Sequence, residues 1–285
     1  MEITINLIKE LREKTGAGMS DCKKALVDSD GDITKAVEFL RKKGAATATK
    51  RADKAAKEGA IKSSISEDRK KASIIEVNCE TDFVSKGEDF QKFAQNIANS
   101  ALAVFSDNKE DVLKVKGLDN LSVEDNLNAM MGRVGEKIEF RRVKVFKVED
   151  GFISGYIHFG SKLGSLVVIK GNNTPDSVEL GNKIAMQVVA MNPLALNRDG
   201  INKELIEKEK EIYTSQAKNE KKPDNIVERI VNNKIEKFFQ ENCLLEQEFI
   251  QEANLSVGDL VKNFNKSKNE NLNLVDYVRF HLGQD

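Results

Sequence analysis

Tryptophan is absent from this sequence, and histidine, cysteine and tyrosine are scarce, at two, three and three residues. Each shortage closes off some chemistry. His158 and His281 are not paired at ligand spacing and no Cys-x-x-Cys stretch occurs, so the material for a zinc site is missing. Cys22, Cys79 and Cys243 are odd in number and far apart, which suits free thiols in a reducing cytoplasm better than a disulfide frame. A nucleophilic Cys79 or Cys22 would need His158 as its base, and small buried thiols are the simpler reading. The phosphate-binding Gly-x4-Gly-Lys-Ser/Thr loop does not occur; Gly16-Ala-Gly18 and the segment from Gly160 to Gly164 read as turns. Carboxylates are plentiful but scattered, and no pair stands out as an acid–base dyad. No catalytic residue, metal or cofactor is expected.

An excess of one charge is missing too. Lys and Arg number 45 against 46 Asp and Glu, so no global field draws the chain to nucleic acid or to a membrane. No apolar run approaches the ~18 residues of a membrane span, and the amphipathic start MEITINLIKELREK lacks the apolar core of a signal peptide. What remains is ordinary soluble composition, 40% hydrophobic and 32% charged, over 285 residues, enough for one large or two to three small domains.

Helical spacing of apolar residues predicts three short helices over residues 3 to 43: Ile5, Leu7, Ile8 and Leu11 on the first, Cys22 to Leu26 on the second, and Ile33, Ala36, Val37 and Leu40 on the third. Residues 41 to 57, RKKGAATATKRADKAAK, hold seven bases and no large apolar residue, and read as a linker or a solvated helix. No aromatic residue interleaves these charges, which argues against a nucleic-acid patch. From Gly59 the period changes to two. Ile61, Ser63 and Ile65, a charged turn at Glu67 to Lys71, and Ser73 to Val77 make a β-hairpin, followed by a helix from about Asp89 with Phe90, Phe93, Ile97 and Leu102 on one face.

The same arrangement recurs. Asp150 to Ile157 resembles Glu58 to Ile65, Gly164 to Ile169 resembles Ala72 to Val77, and Ala185 to Ala190 aligns with Phe93 to Ala98, all at a shift of 92 residues. Two copies of one α+β unit are expected. At that shift Asp82-Phe83 falls on Thr174-Pro175; the second copy needs no such pair there, which weakens the idea that the pair is required to complete the fold. Within the second copy, residues 199 to 239 read as an antiparallel helical hairpin that projects from the body. Its narrow seam is Ile201, Leu205 and Ile212 against Ile226, Ile230, Val231, Ile235 and Phe238, with a polar turn at Lys218 to Pro223. The expected division is 1–55 for a three-helix domain with basic linker, 56–145 for the first α+β unit, and 146–285 for the second.

The stretch EVNCETDFVSK, residues 76 to 86, puts a carboxylate and a phenyl ring side by side as a strand gives way to a loop. A turn aspartate beside a core phenylalanine is one reading; a two-residue probe that enters another molecule is the other. His158, at the end of the second hairpin's first strand, is either a turn histidine or a contact residue. LREKTGAGMSDCKKAL, residues 11 to 26, and EVNCETDFVSK closely resemble the two characteristic stretches of the bacterial translation elongation factor Ts family. Gly135 to Val143, Tyr156 to Gly160, Gly164 to Val167, Ile184 to Met186, Asn192-Pro193 and Val278 to Gly283 follow in family order, so the resemblance covers essentially the full chain.

The resemblance implies a nucleotide exchange factor for elongation factor Tu, with no chemistry of its own. Residues 1 to 55 look like the family's ubiquitin-associated-type domain, the two copies like its core subdomains, and 199 to 239 like its protruding coiled coil, also a candidate surface for self-association. Thr81, Asp82, Phe83 and Val84 match the segment that pushes between helices of the partner's G domain near its magnesium and phosphate site. Val134, Gly135 and His158 match further G-domain contacts. Leu11, Met19 and Ser20 match partner-touching positions of the first domain, Ser20 standing where some members carry methionine. Some relatives continue past the equivalent of Gly283 into another partner-binding helix; this chain stops at Asp285, so that contact is not expected. Two rival classes are weaker. An RNA-binding or chaperone-like module lacks excess charge and stacking aromatics, and a cysteine hydrolase lacks a triad.

Overall fold

The computed structural model describes residues 3–117, 120–220 and 223–284. Of the expected Lys218 to Pro223 turn, 221 and 222 lie outside the described residues, as does Asp285.

Three helices open the chain: α1 (Ile5–Thr15), α2 (Met19–Asp28) and α3 (Ile33–Lys50). Thr4 caps α1 by accepting from the Leu7 N–H, and Gly16 ends it in the left-handed region at φ 65°. Asp32 caps α3 by accepting from the Lys35 N–H. Ile8, Leu11, Cys22, Ala25, Leu26 and Ala36 form their shared core. The third helix does not stop near residue 43. It runs on through half of the basic stretch to Lys50, because Gly44 lets its backbone lie directly against α7 (Val123–Val134), opposite Gly132. A Cβ at Gly44 would collide with the Asn128 carbonyl. The bases of this stretch are partly used inside the molecule: Arg41 pairs with Asp125, Lys43 with Asp21 at 2.6 Å, and Arg51 with Glu80 at 2.8 Å.

Two three-stranded antiparallel sheets follow. The first has the order β1 (Glu58–Ile65), β2 (Lys71–Cys79), β3 (Ile138–Lys147); the second has β4 (Gly151–Ile157), β5 (Leu163–Lys170), β6 (Asn273–His281). The duplication holds in the strands residue by residue. Gly59 pairs with Asn78 as Gly151 pairs with Lys170, Ile65 with Ala72 as Ile157 with Gly164, and each central strand is bulged at the same place, Glu76/Val77 and Val168/Ile169. The copies also grip each other reciprocally. Ile61 N–H donates to the Ser161 carbonyl at 2.7 Å and Ile153 N–H to the Arg69 carbonyl at 2.7 Å, the contacts of an internal two-fold.

Both central strands are buried on both faces, so their burial does not alternate; β2 takes in Ser73, Glu76 and Asn78 among its apolar residues. One face of each sheet meets the other sheet through Ile61, Ile74, Ile153, Leu166 and Phe280. The outer face of the first sheet is covered by α5 (Glu88–Val104), α6 (Lys109–Leu113) and α7. That of the second is covered by α8 (Pro175–Met191) and α11 (Val257–Lys268).

The constant shift of 92 fails in the helices. On α5 the buried positions are Phe90, Phe93, Ala94, Ile97, Ala98 and Ala101, with Leu102 only half-buried; on α8 they match Ser177, Leu180, Gly181, Ile184, Ala185 and Val188. Ser73 Oγ donates to the Ala98 carbonyl and Ser165 Oγ to the Ala185 carbonyl, each at 2.7 Å, which fixes the equivalence of Ala98 with Ala185. The first copy is therefore five residues longer between strand and helix. Those residues form α4 (Asp82–Lys86), so Asp82-Phe83 is not the counterpart of Thr174-Pro175 and has none.

The two remaining helices, α9 (Lys203–Asn219) and α10 (Asp224–Asn242), pack on each other around Ile201, Ala217, Val227, Val231, Ile235 and Phe238. Ile212 and Ile226, expected in this seam, are 47% and 42% exposed, and Ala217 and Val227 are buried in it. The helical phase is turned slightly from the one the isoleucines suggest.

Candidate partner-binding surface

Beyond Cys79 the chain leaves the first sheet with Glu80, whose carboxylate accepts from the Lys137 N–H at 2.6 Å and from Arg51 Nη1 at 2.8 and 2.9 Å. These donors, the backbone N–H first, hold its pKa below the usual carboxylate value. Thr81 then caps α4. Its Oγ1 accepts from the Val84 N–H at 3.4 Å while donating to Glu136 Oε1 at 2.7 Å, and its own N–H donates to Glu136 Oε2 at 3.0 Å. One carboxylate thus clamps the cap of a helix of five residues, too short to persist unaided. At the other end Gln91 Nε2 donates to the Ser85 carbonyl at 2.5 Å.

The helix seats Ser85 and Val84 toward the core and turns Phe83 outward, 87% exposed. The expectation that Phe83 lies at a strand end is corrected: β2 stops at Cys79 and Phe83 sits in the first turn of a helix. A core phenylalanine is likewise excluded by this exposure. Asp82 pairs with Lys86 at 2.7 Å, one turn on; the hydrogen bond and charge lower the carboxyl pKa and raise that of the amine. Phe83, Val84, Met130, Arg133 and Val134 line an open cleft of about 410 Å³. Gly135 closes α7 in the left-handed region at φ 73° and leads into Glu136, the clamp. Thr81, Asp82, Phe83, Val84, Val134 and Gly135 are thereby gathered on one surface.

His158 is exposed, its Nδ1 3.0 Å from the Tyr156 hydroxyl, in the β4–β5 turn. Met19 and Ser20 are exposed at the start of α2. Leu11 is not on the surface. It is fully buried among α1 to α3, because the face that carries Ile8 and Leu11 is the one the three helices share.

All three cysteines are free thiols and buried. Burial pushes Cys79 up to about 12 and Cys243 up to about 11, and raises Cys22 as well. Among the described residues no group of three or more His, Cys, Asp or Glu could hold a metal ion, and no helix is long and apolar enough to cross a membrane.

Glu136, Glu80 and Arg51 escaped sequence reading because a single charged residue in a highly charged chain carries no periodic signal. Replacing Glu136 with Ala removes two bonds to the α4 cap, and local opening of α4 should become easier by roughly 1–2 kcal/mol. Hydrogen exchange checks this: the Val84 and Ser85 amides should lose about ten-fold protection while those of β2 stay as they are.

A family model described as elongation factor TS matches residues 80–284, from the turn before α4 through β3 and the whole of the second sheet. Proteins named elongation factor Ts from Chloroherpeton thalassium and Chlorobium phaeobacteroides are 46% identical over 286 residues and 45% identical over 285, each match covering 99% of both chains. One from Clostridium botulinum is 41% identical over 283 residues, 99% of this chain and 93% of the relative. With likeness of that extent running through the clamped helix and the duplicated sheets, the chain belongs to the elongation factor Ts family.

Proposed function

We propose that the chain is a guanine nucleotide exchange factor for elongation factor Tu and that α4 is its working part. The observation that carries this reading is Phe83: an 87% exposed ring, on a helix that the second copy lacks, held by a clamp. A ring entering an apolar slot between helices of the partner's G domain gains on the order of 1.5–3 kcal/mol. That gain holds the slot open in a geometry that binds Mg²⁺ and the β-phosphate poorly. Asp82 exchanges its Lys86 contact for a partner group, and Val134, Gly135 and His158 extend the footprint. By linkage, factor and nucleotide weaken each other by the same ratio, so the nucleotide pool sets the direction of exchange. No general base or metal of the chain's own takes part.

In this reading residues 1–55 are a ubiquitin-associated-type module that docks on the same partner through Met19 and Ser20, Leu11 acting only by holding the module's core. Residues 56–145 and 146–285 are the two core units, and the protein works in the cytoplasm without contacting nucleic acid or membrane. The experiment is release of a fluorescent GDP from elongation factor Tu, which the chain should accelerate catalytically; an unchanged release rate at saturating chain overturns the proposal.

We take α9 and α10 as the family's projecting coiled coil, a surface on which copies can also self-associate. Their apolar cluster is distinct from those against the two sheets, which supports a separable element. Cutting residues 200 to 236 and closing with a short Gly/Ser linker should leave one cooperative unfolding transition by calorimetry. Loss of all cooperativity would place these helices in the main core.

A further inference from the structure

Two departures from the internal symmetry meet at one end of the molecule. The first is α4. The second is in the β4–β5 turn, where His158 to Lys162 correspond to Ser66 to Lys70, and the left-handed Ser161 matches Arg69, both at φ 57°. In that match Phe159 stands where the first copy has Glu67. Phe159 is 96% exposed, the most exposed large apolar side chain among the described residues, with Phe83 next.

The turn beneath the ring is held at several points. His158 N–H donates to the Leu163 carbonyl at 2.9 Å, Ser161 N–H to the His158 carbonyl at 2.9 Å, and the Ser161 carbonyl accepts from Ile61 N–H at 2.7 Å. Lys162 pairs with Glu58 at 2.7 Å. The Ile61 contact sets the turn beside β1, and α4 packs on that same strand. Glu58, the first residue of β1, links the two: it pairs with Lys162, and its charge acts on Lys86 of α4. The symmetry-related end carries Glu67 and Asp68 with Asn173 against the turn, and has no inserted helix. Exposed phenyl rings on fixed supports have thus been concentrated at one of two otherwise equivalent ends, which marks a single apolar docking surface.

We propose that Phe159 is a second apolar anchor for elongation factor Tu, engaging it together with Phe83 across the face bounded by α4 and the β4–β5 turn. This rests on the reading of α4 given above. The occupant is the same GTPase because the two elements that carry the rings, α4 and the β4–β5 turn, both sit on β1, leaving one continuous surface.

Affinity for nucleotide-free elongation factor Tu is measured for wild type, Phe83→Ala, Phe159→Ala and Phe159→Leu, with Glu67→Ala as the control at the equivalent turn. Phe159→Ala should raise Kd by roughly ten-fold with an unchanged melting transition. Phe159→Leu should recover most of the affinity, and Glu67→Ala should match wild type. Wild-type affinity in Phe159→Ala, beside a loss in Phe83→Ala, overturns this inference alone. Wild-type affinity in both overturns the reading of α4 as well. A lowered melting transition with affinity retained makes the ring a structural one and overturns the inference. A wild-type dimer that Phe159→Ala dissolves in sedimentation, with affinity retained, makes a second copy the occupant and overturns it too.

Discussion

Phe83→Ala should abolish most of the acceleration of GDP release while leaving the fold as stable as before. The two halves of this expectation have separate physical sources. Truncating a buried phenylalanine costs about 3–5 kcal/mol through lost transfer energy and the cavity left behind. Phe83 is 87% exposed, so neither contribution applies, and the change in unfolding free energy should stay within about 0.5 kcal/mol. In the complex the same ring is buried, and its loss should cost the 1.5–3 kcal/mol of that burial, roughly ten-fold to a hundred-fold in the stability of the displaced state. Asp82→Ala should act in the same direction but less strongly, because its carboxylate is solvated and already paired with Lys86 in the free protein. Melting and fluorescent GDP release on one Phe83→Ala sample decide the matter. A protein that exchanges nucleotide at the wild-type rate would remove α4 from the mechanism.

Glu76→Ala should do the reverse, lowering stability by about 3–5 kcal/mol without touching the proposed surface. Glu76 is fully buried in β2, at the bulge. Its carboxylate accepts from Arg142 Nε at 2.7 Å and from the Gly283 N–H at 2.8 Å, with Arg141 Nη1 3.7 Å away. Arg142 in turn donates to the His281 carbonyl at 3.0 Å and stacks 4.1 Å from the centre of the Phe280 ring. One carboxylate therefore ties the first sheet to the end of the last strand of the second. Removing it strands a guanidinium and a backbone N–H at the joint between the copies. Glu76→Gln keeps an acceptor for Gly283 and should lose less than half as much. Denaturant unfolding of the pair measures the difference. Equal midpoints for wild type and Glu76→Ala would mean that the joint contributes nothing net, as some buried ion pairs do.

Neither of these residues could be ranked from the sequence, and the reasons differ. Glu76 interrupts an apolar run, which hints at a buried charge, but its partner N–H belongs to Gly283, 207 residues away. Phe83 sits among residues whose types fit a core turn as well as an exposed probe, and only its exposure in the folded chain separates the two. Leu11 shows the converse. A motif match placed it at a partner contact, whereas its helical phase, shared with Ile8, already pointed it into the bundle.

What the sequence determined by itself is whatever depends on neighbours a few residues apart. Period-two alternation and turn residues placed the first hairpin and the repeat placed the second, and the strand pairing of the two copies agrees residue for residue at the shift of 92 that their side chains announce. Gly16, read as part of a turn, ends α1, because a left-handed residue acts only on the backbone of the adjoining turn. The tertiary structure decided which faces meet. It made α5 the counterpart of α8 with α4 as a five-residue surplus, carried α3 past its expected end so that Gly44 could lie on α7, and closed the Glu136 clamp on Thr81. Periodicity records that a face is apolar or polar but not what will cover it, and the groups that cover it come from distant parts of the chain.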